Sequence, residues 1–128
     1  MTDRTTNGYG AQSMAAPLRL TLMRRASSAM RGADAARWHY GPGFDDARAA
    51  KQHEALAELV ASRGARIEWL EDADDGLADS VFTHDPSLVT SHGAILLSMG
   101  KALRKPEPGL HEAAYRRLDI PILGRVEE

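Results

Sequence analysis

Two aspartates six residues apart frame the segment Leu77-Ala78-Asp79-Ser80-Val81-Phe82-Thr83-His84-Asp85-Pro86, on either side of the apolar pair Val81 and Phe82. Side chains alternate along an extended backbone, so even spacing sends Asp79 and Asp85 to the same side. Pro86 favours that extension, because the residue before a proline is pushed toward β or polyproline geometry. Two acceptor-only groups on one side suit a planar cation, whose guanidinium presents its donors in a fixed fork. The same residues also fit a solvated acidic loop running into a strand, and the segment alone leaves both readings open. Further on, Lys101-Ala102-Leu103-Arg104-Lys105 is equally two-sided: an arginine there either holds a carboxylate bidentately or decorates a loop.

Other chemistries fit less well. His111-Glu112-Ala113-Ala114-Tyr115 has a tyrosine where a zinc-protease helix needs its second histidine, and His84, His92 and His111 lack ligand spacing, so no metal is expected. His53 falls on the apolar face of a helix and reads as a packed residue. Gly8-Tyr9-Gly10 and Gly41-Pro42-Gly43 match neither the phosphate loop nor the dinucleotide fingerprint, so no cofactor is expected. The serines and histidines form no recognisable triad context. The sequence contains no cysteine, which removes disulfides, thiolate zinc sites and any thiolate nucleophile from these 128 residues.

Composition narrows the classes further. A formal charge of −2 argues against nucleic acid or an anionic membrane as partner, since either favours a basic patch. No apolar run approaches the ~20 residues of a membrane span, and the polar opening Met1 to Ser13 lacks the apolar stretch of a signal peptide. A soluble, cytoplasmic protein is expected. With 43% hydrophobic and 27% charged residues the chain has enough apolar material for a core, and its length allows one domain.

The elements that must position these residues follow from periodicity. Residues 1–16 read as a flexible tail without pattern, with order beginning at Pro17. Leu18 to Arg24 alternates apolar and polar as a half-buried strand does. Ser27 to Phe44 has no sustained pattern and is long for a connection, the kind of stretch that forms a lid or a linker. A helix is expected from about Asp45, a cap, to Arg63, with Gly64 at the left-handed position beyond it and Ala49, His53, Leu56, Leu59 and Val60 on its buried face. Arg66 to Leu70 reads as a short strand. Ser87 to Thr90 and Ala94 to Ser98 read as a hairpin, with Gly93 free to take positive φ in the turn. A second helix spans about Gly109 to Leu118, with Leu110, Ala113, Ala114 and Leu118 apolar, and a last strand follows at Pro121 to Arg125. Strand, helix, strand, hairpin, helix, strand is a mixed α/β (α+β) order built from ββαβ-like units.

Together these segments resemble dimethylarginine dimethylaminohydrolase, of the guanidino-group-modifying (pentein) superfamily that includes arginine deiminase and glycine amidinotransferase. The likeness is carried by Asp79-Ser80-Val81-Phe82-Thr83-His84-Asp85-Pro86, by Thr90-Ser91-His92-Gly93-Ala94-Ile95-Leu96-Leu97, by Met99-Gly100 and Arg104, and less specifically by Gln52-His53-Glu54-Ala55-Leu56 with Gly64 and Arg66 to Leu70. It covers roughly Pro17 to the end. It implies about two ββαβ units of a five-bladed α/β-propeller, incomplete, as a partial pentein domain over residues 17–128. It further implies that Asp85 binds the substrate guanidinium, that Asp79 is a second substrate-binding carboxylate, and that Arg104 grips the α-carboxylate of an arginine-like substrate. His84 stands where these enzymes often place an acidic residue, which leaves guanidino compounds other than methylated arginine open.

The mechanism implied by the family is covalent: a thiolate attacks the guanidinium carbon, a histidine protonates the leaving amine, and water releases a urea product such as citrulline. Its acid, histidine and cysteine fall beyond Glu128 and map to no residue here, so the chain alone is expected to be inactive. Three arrangements remain: an amino-terminal fragment of an amidinohydrolase or amidinotransferase, one subunit of a split enzyme whose second chain brings the missing groups, or a non-catalytic guanidinium-binding domain. An incomplete ring would expose strand edges and apolar surface, which predicts self-association.

Overall fold

Alternating apolar residues before Arg24 and helical spacing after Asp45 must bring a strand and a helix together, and the chain repeats that arrangement in its second half. The computed structural model describes residues 8–127; the first seven residues of the segment read as a tail, and Glu128, lie outside the described residues. Strand β1 (Leu20–Met23) leads through a one-turn helix, α1 (Ala26–Ala29), and a run of turns into the long helix α2 (Asp46–Ser62) and then β2 (Arg66–Trp69). β1 and β2 pair in parallel, Leu20 opposite Arg66 and Met23 opposite Trp69. A parallel pair needs a crossover to reverse the chain, and α2 provides it. In the second half β3 (Ser87–Thr90) and β4 (Gly93–Leu96) form an antiparallel hairpin, α3 (Glu107–Arg117) crosses over, and β5 (Ile122–Arg125) returns parallel to β4. The sheet order β3-β4-β5 makes this half a ββαβ unit, as the sequence order predicts. Among the described residues no helix is long and apolar enough to cross a membrane.

Local chemistry sets the element ends. The Asp45 carboxylate accepts the Arg48 N–H at 3.1 Å and caps α2, while Gly64 at φ 95° closes its far end. The buried face of α2 differs from expectation. Leu56 and Leu59 are 49% and 56% exposed, and Ala57 is the buried residue. α2 lies against α1 and β2, and a stripe through Ala57 has the same three-and-four spacing as one through the leucines. His53 is packed, its ring edge-on to Trp69 of β2 at 6.2 Å. α3 begins at Glu107, earlier than expected, since Pro106 and Pro108 are tolerated in a first helical turn. Its buried side is Glu107, Pro108, His111, Ala114 and Tyr115, whereas Ala113 faces outward.

The hairpin turn depends on Gly93. Its φ is 144°, and a Cβ there would stand 2.5 Å from the Pro121 carbonyl oxygen on the approach to β5. Gly93→Ala is therefore expected to lose roughly 1–3 kcal/mol. Urea unfolding would show this as a lower midpoint at unchanged slope, and an unchanged midpoint would refute the close approach.

Two apolar clusters hold the halves. Ala94, Leu96, Tyr115 and Ile120 join α3 to its sheet, with Leu22, Val89 and Ile122 packed against them. Ala26, Met30, Trp38 and Ala78 form the other, flanked by Tyr40, Phe44, Val81 and Leu103. The patternless stretch after Ser27 is thus folded onto the segment that carries Asp79. The described residues before Pro17 also touch the body: the Ala11 N–H reaches the Val89 carbonyl at 3.4 Å, and Gln12 Nε2 donates to Ser91 Oγ at 2.8 Å.

Candidate functional site

The segment from Asp79 to Asp85 is not extended. Ala78–Val81 forms a 3-10 turn, and the Phe82 and Asp85 N–H groups bond back to the Asp79 and Phe82 carbonyls. Alternation needs a neighbouring strand to hold the backbone straight, and here the bonds are local. The turn instead wraps around Arg104, which meets the Asp85 carboxylate and the Asp79 backbone carbonyl.

Arg104 comes from a 3-10 turn at Ala102–Arg104 just before α3 and is 8% exposed. Its Nε and Nη2 donate to the two carboxylate oxygens of Glu107, each at 2.8 Å. Nη2 also faces the Asp79 and Phe82 carbonyls at 3.3 Å, and Nη1 donates to Asp85 Oδ2 at 2.6 Å. The pairing with Glu107 raises the Arg104 pKa further despite burial. Burial pushes the Glu107 carboxyl up while Arg104 pulls it down, and Asp79 and Asp85 are near enough to add to the upward push. The Asp85 side chain remains 36% exposed, with its Oδ1 3.0 Å from His84 Nε2.

The Asp79 side chain turns the other way. Its Oδ1 accepts the Tyr40 hydroxyl at 2.5 Å and its Oδ2 accepts Lys101 Nζ at 2.7 Å. Lys101 also donates to the Trp38 carbonyl at 3.1 Å and lies 4.7 Å from the centre of that ring. Burial, then the bond to Asp79, raises the Tyr40 pKa, so its phenol stays protonated as the donor.

A buried arginine fastens the turn to β1. Arg24, 1% exposed, forks onto Asp75 and donates to Ser80 Oγ at 2.7 Å and to the Glu71 carbonyl at 3.0 Å. Thr83 Oγ1 donates to the Leu22 carbonyl at 2.8 Å. Burial pushes the Asp75 carboxyl up, but the Arg24 bond and charge and the Leu77 N–H together outweigh it and hold it below its ordinary value.

Of the three residues expected to meet substrate, the structure pairs Asp85 directly with Arg104 and places the Asp79 backbone on the same guanidinium. The Asp79 carboxylate is held by Tyr40 and Lys101. Sequence reasoning missed Arg24, Tyr40, Lys101 as an Asp79 partner, and Glu107. The three-residue spacing of Arg104 and Glu107 was a usable signal for the last; Tyr40, 39 residues from Asp79, gave none. A groove of about 680 Å3 lies elsewhere, between the segment around Tyr9, β1 and α3, and none of Asp79, Asp85 and Arg104 lines it. Among the described residues no group of three His, Asp or Glu side chains converges as a metal site.

The fold is similar to that of solved structures of dimethylarginine dimethylaminohydrolase. One such structure is that enzyme from Pseudomonas aeruginosa, a cysteine-to-serine mutant complexed with citrulline: 27% identity, TM-score 0.67, covering 86% of this chain and 42% of that one. A second, an adduct with 4-chloro-2-hydroxymethylpyridine, is 26% identical at TM-score 0.63, covering 86% of this chain and 41% of that one. A third, a histidine-to-glycine variant as its adduct with S-methyl-L-thiocitrulline, is 27% identical at TM-score 0.64, covering 86% of this chain and 42% of that one. The chain therefore spans less than half the length of the structures it matches. No protein-family model matches it.

Proposed function

We propose that this chain carries part of the substrate pocket of a guanidino-group-modifying hydrolase, one that cleaves a C–N bond of an arginine-like compound to leave a citrulline-like product. The observation that carries the reading is the likeness, over 86% of the chain, to an enzyme complexed with citrulline. In this reading the units described above are part of a five-bladed propeller. The half-exposed Asp85 carboxylate receives the guanidinium, and Asp79 lends negative charge beside it. Arg104 holds Asp85 through Nη1 and is the cation that would meet the α-carboxylate of the ligand. The carboxylates hold the cation and disperse its charge as the carbon becomes tetrahedral. A thiolate nucleophile would have to come from outside these residues, since the sequence contains no cysteine; in this reading the proton donor and the catalytic acid do too.

Calorimetry tests the pocket. The chain is expected to bind alkylguanidines at millimolar concentration, and Asp85→Asn is expected to weaken that binding about tenfold, the scale of one charge-assisted hydrogen bond. Equal heats from both proteins would remove Asp85 from the pocket.

A further inference from the structure

The segment Tyr9 to Gln12, read from sequence as part of a flexible tail, lies along the outer edge of β3. The Leu97 N–H bonds to the Pro86 carbonyl, so by alternation the backbone groups of Leu88 face β4 while those of Ser87 and Val89 face away from it. β3 is an edge strand in the order β3-β4-β5, and its outward Val89 carbonyl accepts the Ala11 N–H. We propose that Tyr9 to Gln12 is a strap that guards this edge: seated, it denies β3 to other strands, and displaced, it lets β3 of a second copy of the chain pair there. The inference is independent of the guanidinium reading.

The strap is fitted to its seat. Gly10 has φ 81°, and a Cβ there would stand 2.2 Å from the Thr90 carbonyl oxygen, so the approach requires glycine. Gln12 Nε2 donates to Ser91 Oγ at 2.8 Å, just beyond the strand. Tyr9 packs against the cluster of Ala94, Leu96, Tyr115 and Ile120. Across the groove of about 680 Å3 from the strap stand Leu20, Leu22 and Leu118. Displacing the strap therefore bares a strand edge and an apolar wall together, the combination that drives association. The hold is light: the Ala11 bond is long, at 3.4 Å, and Gly10, Ala11 and Gln12 are exposed.

The two edges of the sheet differ in what protects them. β5 carries the charge of Arg125 and meets β4 in broken register between Ala94 and Ile95, and both features discourage a further strand. β3 has neither: Ser87-Leu88-Val89-Thr90 is uncharged and runs in regular register with β4. Its edge is also self-complementary. With Ser87 and Val89 facing outward, two copies related by a twofold axis at Leu88 pair Ser87 of each with Val89 of the other. Leu88 then stands opposite its counterpart in a non-hydrogen-bonded position, the Cα atoms about 4.5 Å apart.

That register supplies the test, because the chain has no cysteine of its own. Leu88→Cys, at a position 55% exposed, is made in the full chain with and without Gly10→Val, whose side chain cannot be seated against Thr90. With diamide as oxidant, the double variant is expected to form a disulfide dimer about tenfold faster than Leu88→Cys alone, since the facing Cα atoms lie within disulfide reach. In sedimentation, Gly10→Val alone should self-associate about tenfold more tightly than the parent, the scale of one net hydrogen bond freed on the edge. Gln12→Ala, which removes the bond to Ser91, should move both readings the same way by a smaller factor, and it takes the place of Gly10→Val should that variant not fold. Equal cross-linking rates with the strap seated and displaced overturn the guard. Faster cross-linking through Leu123→Cys on β5 than through Leu88→Cys, both in the Gly10→Val chain, puts the contact on the other edge and overturns the inference as well.

Discussion

Arg104→Met should unfold at markedly lower urea, with a loss of about 3–5 kcal/mol, the largest effect expected of any single substitution in this chain. The cause is what the change leaves behind. Glu107 has no exposed surface and both its oxygens rest on the Arg104 fork. Without the guanidinium, a buried carboxylate must either stay charged and unpaired or take up a proton. The Asp79 and Phe82 carbonyls and Asp85 lose a donor in the same step. Adding Glu107→Leu to Arg104→Met should recover a large part of the loss, because replacing both partners removes the stranded charge. A single variant within about 0.5 kcal/mol of the parent would show that the pair contributes nothing to the turn.

The second large effect is on acid stability. His111 of α3 is 1% exposed, with its Nδ1 2.7 Å from Ser87 Oγ, which in turn meets the Tyr115 hydroxyl. Burial first, then the Arg104 and Arg24 cations, pushes its pKa from 6.5 down to about 4. The unfolded chain therefore binds this proton more readily than the folded one. The contribution is fully present above pH 6.5 and is lost as pH falls toward 4, on the order of 3 kcal/mol in all. Glu107, with its pKa raised, works in the opposite sense over part of that range, so the comparison must be with His111→Gln, which keeps polar contact but does not titrate. Urea midpoints from pH 7 to 4 should fall more steeply for the parent than for this variant. Parallel curves would mean that His111 is not held neutral.

Much of the chain follows from its local patterns, and the exceptions have identifiable causes. All five strands lie at the stretches read as strands, β1 from its alternation, and α2 runs between its aspartate cap and Gly64 because both ends are decided by adjacent residues. Which side of α2 is buried is decided by α1 and β2, and neither leaves a mark on the spacing of Leu56, Ala57 and Leu59. The site divides the same way. Arg104 meets Asp85 and the Asp79 backbone, whereas the Asp79 carboxylate turns away to Tyr40 and Lys101, and alternation named the wrong conformation for the aspartate segment, since a short run with no ladder partner folds onto its own carbonyls. Tyr40 reaches Asp79 only because the stretch after Ser27 packs back over Ala78, a tertiary event that propensity does not encode.

The fastening of the aspartate turn by Arg24 and Thr83 to the edge of β1 bears on how a ligand would be met. A mobile loop loses conformational freedom at the moment of binding, and affinity falls by that amount. Here the restriction is imposed once, when the chain folds. On the proposed reading of this site, a guanidinium would meet a preorganised acceptor, and its binding entropy should reflect displaced water and its own immobilisation rather than the ordering of protein.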